Sequence, residues 1–391
     1  MKTKHIIGAI MLMAAMAFSG CGSKEQNGKD NSGLFVIREG GTDGKYGFID
    51  KTGKVVIEPQ YDFCSYFEEG LAEIVVDDKF GFIDQTGKVV IEPQFDNCQL
   101  FSEGLAPISV GYKWGAVDKT GKLVIEPKYD NLFSFSEGLA VVCSVRSDGY
   151  GVKYGYVDQT GKIVIEPQFD YATGFCEGLA KVEVNRKRGF IDKTGKVVIE
   201  PIYSSCESFS EGLAVIQLGG KYGYIDKTGK IVIEPQFGYC DSFSGGVAKV
   251  VADGKWGFID KTGKFLIEPQ FNGCESFSEG LGKVEVNRKC GFIDQTGKMV
   301  IEPQYEDCES FSEGLAEIAI NGKLGYIDKT GKVVIEPQFK RSRSFDGGLA
   351  LVCLDDLDGH ADYISWRSGT WGYIDKTGKL VYSATCESTD F

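Results

Sequence analysis

Short stretches of alternating apolar and polar residues recur along this chain, and each is followed by a turn motif. In one of them, Ala180, Val182 and Val184 alternate with Lys181 and Glu183. A period of two predicts a β-strand with one face in a core and the other in water. After residue 33 no run of ten residues has helical spacing. The pattern therefore predicts an all-β protein.

The elements that follow each such strand define one repeating unit. Residues 222–226, with Gly223 in second place, predict a second strand, and the glycine leaves room for a close neighbouring backbone. Asp-[Lys/Gln]-Thr-Gly-Lys comes next, in all ten copies, and is typical of a tight hairpin. A third strand over 231–234 is predicted to stop at Pro235. Apolar residues at intervals of three in 237–246 then predict a buried arch leading to the next unit.

The spacing of the units predicts how they assemble. The glycine of the second strand recurs ten times, and seven of the nine spacings equal that from Gly189 to Gly223. The two longer spacings place insertions near 143–153 and 353–370, at the same point of the unit. A three-stranded meander of this size cannot bury its own apolar face, so the units must stack. We expect an open superhelical stack. A closed propeller-like ring is the alternative, and it ranks second because so short a unit has few residues for a four-stranded blade.

The N-terminal segment has the pattern of an export signal. Two lysines precede an apolar run from Ile6 to Phe18, which is too short to span a bilayer as a helix. The following Phe18-Ser19-Gly20-Cys21 resembles a bacterial lipobox, which implies an acylated Cys21 at the mature N-terminus and a membrane contact through lipid. We therefore expect a signal peptide over 1–20, a lipidated cysteine and flexible tether over 21–33, and the repeat array over 34–391. The expected location is the bacterial cell envelope, as an outer-membrane lipoprotein facing either the periplasm or the medium.

A family resemblance rests on the second strand of the unit, which contains this glycine. Three copies contain Trp-Gly followed after a short interval by an aspartate: Trp114-Gly115 with Asp118, Trp256-Gly257 with Asp260, and Trp371-Gly372 with Asp375. The array resembles the WG (KWG) repeat family of bacterial proteins. The resemblance implies a β-repeat scaffold, often on exported proteins, and supplies no catalytic residues. Arg188, Cys290 and Leu324 replace the aromatic residue in three copies, which favours a packing role over ligand stacking.

Composition and charge narrow the candidate chemistry. The formal net charge is −13, and acids alternate with lysines throughout, which disfavours a nucleic-acid partner. Only two histidines occur, so histidine-based triads and metal sites are disfavoured, and no cofactor is expected. The cysteines of an exported protein could form disulfides, but six of them share one arch position, which favours a ladder of buried free thiols over bridges: Cys64, Cys98, Cys206, Cys240, Cys274 and Cys308.

Two sets of glutamates repeat in register, nine before the proline and seven before Gly-Leu, as at Glu234 and Glu211. Acid–base catalysis needs two carboxyls with different pKa values, and a ladder of equivalent carboxyls provides no such difference. We therefore expect no catalytic residues, and interpret these groups as turn partners, as ion-pair partners of the regular lysines, or as solvated surface groups. A glycan hydrolase remains the least favoured alternative.

The residues in which the repeats differ are the better candidates for recognition. The possible recognition residues are Tyr150, His360, Tyr363, Trp366, Trp371, Trp114 and Trp256. The expected function is a non-catalytic, lipid-anchored scaffold that binds an unknown protein or polysaccharide at the envelope. The alternative is a purely structural envelope spacer.

Overall fold

The computed structural model describes residues 32–40, 44–145, 151–355 and 369–386. Within these ranges every helix or strand is a β-strand, and 38 strands form ten antiparallel sheets in chain order. The two central strands of a sheet bury several consecutive residues, such as Gly223, Tyr224 and Ile225, because neighbouring sheets cover both of their faces. The all-β prediction is confirmed.

The ten sheets divide into eight of four strands and, at the two ends of the chain, two of three. Sheet 1 contains β1 (Leu34–Glu39), β2 (Lys45–Asp50) and β3 (Val55–Tyr61). Sheets 2 to 5 contain β4 (Phe63–Glu68), β5 (Leu71–Val76), β6 (Lys79–Asp84), β7 (Val89–Phe95); β8 (Asn97–Cys98), β9 (Leu105–Val110), β10 (Lys113–Asp118), β11 (Leu123–Tyr129); β12 (Asn131–Ser136), β13 (Leu139–Val145), β14 (Val152–Asp158), β15 (Ile163–Phe169); and β16 (Tyr171–Ala172), β17 (Leu179–Val184), β18 (Lys187–Asp192), β19 (Val197–Tyr203).

Sheets 6 to 9 repeat the same plan. They contain β20 (Ser205–Cys206), β21 (Leu213–Leu218), β22 (Lys221–Asp226), β23 (Ile231–Phe237); β24 (Tyr239–Cys240), β25 (Val247–Ala252), β26 (Lys255–Asp260), β27 (Phe265–Phe271); β28 (Gly273–Cys274), β29 (Leu281–Val286), β30 (Lys289–Asp294), β31 (Met299–Tyr305); and β32 (Asp307–Cys308), β33 (Leu315–Ile320), β34 (Lys323–Asp328), β35 (Val333–Phe339). Sheet 10 contains β36 (Leu349–Cys353), β37 (Gly369–Asp375) and β38 (Leu380–Cys386).

We name the four strands of a full sheet A, B, C and D in chain order, which is also their spatial order. Sheets 1 and 10 have strands B, C and D. A single residue separates strand D of one sheet from strand A of the next, as Asp62 does between β3 and β4. The chain therefore passes from sheet to sheet without a crossover loop.

The predicted end of the third strand at proline is wrong. Strand β23 continues through Pro235 to Phe237, because the ladder takes up the proline in a bulge. Tyr224 pairs with Ile233 and Tyr222 pairs with Phe237, so three residues of strand D lie opposite Gly223 alone. A proline is tolerated on an edge strand or at a bulge, where no amide donor is needed.

The bulge explains the glycine of the aromatic-glycine pair. A Cβ atom on Gly223 would lie 2.4 Å from the Ile233 carbonyl oxygen and 2.7 Å from the Pro235 nitrogen. Nine of the ten copies of this glycine have the same stretch of strand D backbone against them. The predicted close approach of a neighbouring backbone is confirmed.

The Asp-[Lys/Gln]-Thr-Gly-Lys hairpin is confirmed as the C–D connection. In sheet 6, one Asp226 carboxylate oxygen accepts hydrogen bonds from the Thr228 amide at 2.9 Å, the Thr228 hydroxyl at 2.6 Å and the Lys230 amide at 3.1 Å. Gly229 takes the left-handed conformation, with φ of 84°. The Thr228 hydroxyl bond is the main cause that lowers the pKa of Asp226, so the hairpin favours the charged aspartate.

The predicted arch does more than connect the units. Its residues Tyr239 and Cys240 form strand A of the next sheet, where Cys240 pairs with Val250. Phe243 follows in the arch and is buried, with its ring centroid 4.8 Å from that of Tyr224 in the preceding sheet. The arch thus supplies the fourth strand that makes so short a unit long enough for a blade.

The core lies between the sheets and not within them. One apolar cluster joins Leu179, Phe190 and Ile199 of sheet 5 to Phe209 and Ile216 of sheet 6. The same arrangement recurs along the array, so each sheet buries its apolar face only against its neighbours. The prediction that the units must stack is confirmed.

The ten sheets close into a ten-bladed propeller, so the expected open stack is wrong and the closed ring is correct. Sheet 10 contacts sheet 1 through Tyr373, whose hydroxyl donates to the Val36 carbonyl at 2.8 Å and whose ring centroid lies 5.5 Å from that of Phe35. Tyr382 also donates a hydrogen bond to Glu39. Phe35 lies on strand B, yet it takes the place that an arch phenylalanine has elsewhere. Closure leaves no terminal sheet of the described ring with an exposed apolar face.

Candidate ligand-binding face

The antiparallel meander places different connections at the two faces of the ring. We call the face with the B–C hairpins and the D-to-A junctions the B–C face. The opposite face, which we call the C–D face, carries the C–D hairpins and the A–B turns. Contacts between neighbouring sheets join like ends, so each face is continuous around the described ring.

The C–D face is bonded together by the glutamates before Gly-Leu. Glu211 of sheet 6 accepts hydrogen bonds from the amides of Gly245 at 2.6 Å and Gly246 at 2.9 Å in sheet 7, and its carboxylate lies 3.0 Å from the Lys261 ammonium. Burial opposes ionisation of Glu211, but Lys261 and the two amides outweigh it and lower its pKa. Equivalent bonds from the next sheet reach Glu69, Glu103, Glu137, Glu177, Glu279 and Glu313. The ion-pair interpretation is confirmed for six of these seven glutamates, whereas Glu103 accepts a hydrogen bond from Gln159 at 3.3 Å in place of an ion pair with lysine.

The glutamates that precede proline have a different environment. All nine lie on strand D with exposed side chains, as Glu234 does. Each of them occupies the same position on strand D, directly before the proline. Nothing in this arrangement distinguishes one carboxyl as an acid and another as a base.

The B–C face carries a second ladder of ion pairs in sheets 1 to 4. A lysine at the start of strand C, the first residue in sheets 1 to 3 and the second in sheet 4, lies beside the aspartate at the next D-to-A junction. The N–O distances are 2.5 to 2.6 Å for Lys45–Asp62, Lys79–Asp96, Lys113–Asp130 and Lys153–Asp170. The second carboxylate oxygen of Asp170 accepts a 2.7 Å hydrogen bond from the Asn185 amide in the next B–C hairpin. Asp62 and Asp96 likewise accept hydrogen bonds from the hairpin amides of Asp77 and Gly111. Such an aspartate can therefore both neutralise a lysine and hold a hairpin.

The same position is not acidic in sheets 5 to 7. The junction residues at the same spacing from Lys187, Lys221 and Lys255 are Ser204, Gly238 and Asn272. Asn272 still accepts a hydrogen bond from the Asn287 amide at 3.1 Å. This part of the B–C face thus keeps the lysines and, at Asn272, the hairpin bond, but has lost the junction carboxylates.

The three tryptophans predicted as recognition residues are not brought together. Trp114, Trp256 and Trp371 lie on strand C of sheets 3, 7 and 10, and each packs against a separate apolar cluster. Trp371 is only 7% exposed. Trp256 packs edge-on against Tyr239, with centroids 5.5 Å apart, and the Lys249 ammonium lies 5.5 Å from its centroid. These contacts favour a packing role for all three tryptophans.

The three copies without an aromatic residue at this position support that conclusion. Arg188 forms an ion pair with Glu183 at 3.1 Å, and Leu324 packs against the core between sheets 9 and 10. Cys290 forms a disulfide with Cys308, and their Cα atoms are 6.2 Å apart. Each substitute makes its own contact between strands or sheets.

The disulfide corrects the predicted ladder of free thiols at one position. Cys308 is bridged, whereas Cys64, Cys98, Cys206, Cys240 and Cys274 are free. Equivalent arch positions do not meet; the bridge joins an arch position to the strand C position of the preceding sheet. The pattern of cysteines at equivalent arch positions therefore does not predict this pair. Burial raises the pKa of the Cys206 thiol to about 12, and so suppresses its reactivity.

Four predicted recognition residues, Tyr150, His360, Tyr363 and Trp366, lie outside the described residues, as does Cys21. The described residues that flank both insertions belong to B–C hairpins, between β13 and β14 and between β36 and β37. The most exposed aromatic side chain of the described chain, Tyr112, occupies the B–C hairpin of sheet 3 and is 93% exposed. It was missed because it belongs to a turn and not to the repeated strand pattern.

Other chemistry-bearing groups within the described residues lie apart. No cluster of three His, Cys, Asp or Glu side chains suited to a metal ion occurs among them. Glu73 is 7% exposed, and its desolvation raises its pKa to about 7, although a bond with Cys98 opposes this. Over the same residues, no helix has the length and apolarity needed to cross a membrane.

Ten antiparallel sheets that follow one another in sequence and close on themselves define a β-propeller. Ten consecutive segments match the model of the WG containing repeat family: 46–80, 80–114, 114–144, 154–187, 189–222, 222–256, 256–290, 291–323, 325–357 and 371–390. The chain belongs to this family. No curated protein matches the sequence.

Solved structures resemble the chain only distantly. A eukaryotic initiation factor has 12% identity and a TM-score of 0.49, with 79% of this chain and 94% of that chain covered. The dihydro-heme d1 dehydrogenase NirN has 13% identity and a TM-score of 0.39, with 91% and 74% covered. A quinonprotein alcohol dehydrogenase-like protein from Bacteroides thetaiotaomicron has 11% identity and a TM-score of 0.30, with 72% and 82% covered. All three TM-scores are below 0.5.

Proposed function

We propose that this chain is an exported, lipid-anchored, non-catalytic propeller that binds a protein or glycan partner at the cell envelope through its B–C face. The observation that carries the proposal is the position of the variation. The C–D hairpin motif is present in all ten copies, whereas the B–C hairpins differ in sequence and length and include both insertions. Variation confined to the loops of one face of a regular scaffold is typical of a recognition surface.

A purely structural spacer is less favoured, because the array is a closed ring. In an open stack, added repeats would add length. In a ring they change the number of blades and the closure between Tyr373 and Phe35. A spacer function also gives no reason for the two insertions to occur on the same face.

The export and anchoring part of the proposal rests on the N-terminal pattern. Cys21→Ser should abolish acyl labelling and release the protein from the membrane fraction. Membrane association that is unchanged in this variant would contradict lipid anchoring. Protease treatment of intact cells then distinguishes a surface-facing ring, which is cleaved, from a periplasmic one, which is protected.

Binding is tested with the full chain in non-ionic detergent, immobilised and exposed to solubilised envelope protein and to a glycan array. We expect a saturable partner whose retention falls when exposed B–C residues such as Tyr112 are changed to alanine. Changing exposed Glu234 on strand D to alanine is the matched control and should not alter retention. Absence of any saturable partner, or equal loss in both variants, would refute the proposal.

A further inference from the structure

The B–C face has an uneven distribution of charge that the repeat pattern by itself does not require. In sheets 1 to 4, each lysine at the start of strand C lies within 2.6 Å of a junction aspartate. Lys45 is the main cause that lowers the pKa of Asp62, so the pair remains ionised at neutral pH. In these four sheets the lysines are neutralised locally.

In three consecutive sheets, 5 to 7, the junction has no carboxylate for the lysine of strand C. The lysines are Lys187, Lys221 and Lys255, and the junction residues at the same spacing are Ser204, Gly238 and Asn272. Folding does not demand this loss, because the four earlier sheets form with aspartate at the same position. Sheets 5 to 7 are neighbours, and each therefore presents a lysine on the B–C face without a carboxylate at the junction beside it.

Asn272 separates the structural role of the junction from its charge. Its side-chain oxygen accepts the hydrogen bond of the Asn287 amide at 3.1 Å, as the Asp170 carboxylate accepts that of Asn185 at 2.7 Å. The hairpin is held in both cases. Only the negative charge beside the lysine of strand C differs.

Further basic residues extend this part of the face. We call the following six side chains, all on B–C hairpins or at the start of strand C in sheets 5 to 8, the cationic arc: Arg186, Lys187, Lys221, Lys255, Arg288 and Lys289. Two acids, Asp253 and Glu306, accompany them at the equivalent positions. The equivalent described positions of sheets 2 to 4 have three lysines and five aspartates. The arc is thus a local excess of positive charge on a chain of net charge −13.

We propose that the cationic arc binds a linear acidic polysaccharide. The basic groups recur sheet by sheet, about 10 Å apart if the sheets have the usual packing distance. A polymer with one carboxylate in each repeating unit can contact several of them at once, and multivalent contact compensates for the weakness of each exposed ion pair. The acidic remainder of the surface repels such a polymer and so directs it to the arc. This proposal rests on the proposed binding function and specifies its ligand.

The test uses the full chain in non-ionic detergent and polygalacturonate as the probe, with neutral dextran and single-stranded DNA for comparison. The key variant, S204D/G238D/N272D, restores the junction acids of sheets 5 to 7 without removing any lysine. Aspartate is compatible with position 238, because a Cβ atom there would lie 3.6 Å from Val251, at ordinary van der Waals distance. The control, Q168E/Q236E/Q270E, adds the same charge to exposed side chains of strand D.

We expect polygalacturonate to bind the wild type in a salt-dependent manner and dextran not to bind. The key variant should bind at least tenfold more weakly, while the control stays within threefold of the wild type. Asp170→Asn should strengthen binding severalfold, because it removes the partner of Lys153 and keeps the hairpin acceptor. Unchanged thermal midpoints would show that the variants fold.

Failure of the wild type to bind polygalacturonate, equal weakening by the key variant and the control, or tighter binding of DNA would each overturn the inference. The proposed function is tested separately by the envelope and glycan captures. A partner that is captured equally by the wild type and S204D/G238D/N272D would leave that function intact and refute the cationic arc alone.

Discussion

Gly223 gives a direct test of why the aromatic-glycine pair recurs. In Gly223→Ala, the added Cβ atom would lie 2.4, 2.7 and 2.8 Å from three backbone atoms of the bulge in strand D. No side-chain rotation relieves contacts with backbone, so strand C or the bulge has to move. The residue is in an ordinary strand conformation, and steric overlap is the dominant effect.

The expected cost follows from the size of that overlap. An overpacked methyl group costs about 1–3 kcal/mol in a core that can adjust, and the upper end applies because the obstacle is backbone. The loss of conformational freedom in the unfolded chain offsets about 0.4–1 kcal/mol of this. The net destabilisation is therefore about 2 kcal/mol. The usual scaling of about 2–4 °C per kcal/mol applies to domains of about 150–250 residues and becomes smaller for longer chains, so the midpoint should fall by about 3 °C.

Thermal unfolding followed by circular dichroism provides the assay, and amide hydrogen exchange locates the effect in strands C and D of sheet 6. Gly238→Ala is the matched control, because its Cβ atom would meet only Val251 at 3.6 Å and its φ is not left-handed. This control should change the midpoint by less than about 1 °C or raise it slightly. Equal midpoints for Gly223→Ala, Gly238→Ala and the wild type would refute the steric explanation.

Three further predictions concern cysteine and carboxyl groups. Cys290→Ser should lower stability by about 3 kcal/mol, the usual value for a loop of this length, since Cys290 and Cys308 are 18 residues apart; Cys274→Ser, at a free thiol, should cost clearly less in the same unfolding assay. Thiol titration of the unfolded, unreduced chain should find Cys290 and Cys308 unreactive and Cys274 reactive; labelling of all three would contradict the bridge. Desolvation raises the pKa of Glu73 from 4.5 to about 7, so the folded chain holds a proton that the unfolded chain releases, and stability should fall as pH rises from 4.5 to 7. Glu73→Gln should thus stabilise the protein at pH 8, by up to about 3 kcal/mol, and not at pH 4.5; a pH-independent difference would refute this.

The sequence alone determined the elements that depend on local pattern. Alternation of apolar and polar residues predicted strand B, and the Asp-Thr-Gly spacing predicted the C–D hairpin with its left-handed glycine, as at Gly229. These features depend on neighbours within a few residues. The ten copies then made stacking necessary, because no single unit has an interior.

The candidate binding face could not be obtained in this way. The sequence indicated the tryptophans of the Trp-Gly position as possible recognition residues. In the structure Trp371 is buried, and Trp114 and Trp256 pack between sheets. The pairing of a lysine with the carboxylate of the following junction crosses from one sheet to the next. Once that pairing is known, the change to Ser204 or Gly238 is visible in the sequence, but the repeat pattern does not indicate that these positions face a lysine.

Closure of the ring was decided by the tertiary structure. Whether a stack of sheets closes depends on the rotation between neighbours, a property of packed side chains such as Tyr224 against Phe243 that repeat counting does not measure. The arch also had to be recognised as strand A before so short a unit could be seen as a full blade. The sequence by itself established an all-β array of ten WG repeats, and the tertiary structure made it a propeller in which Tyr373 meets Phe35, because only packing between distant segments sets that angle.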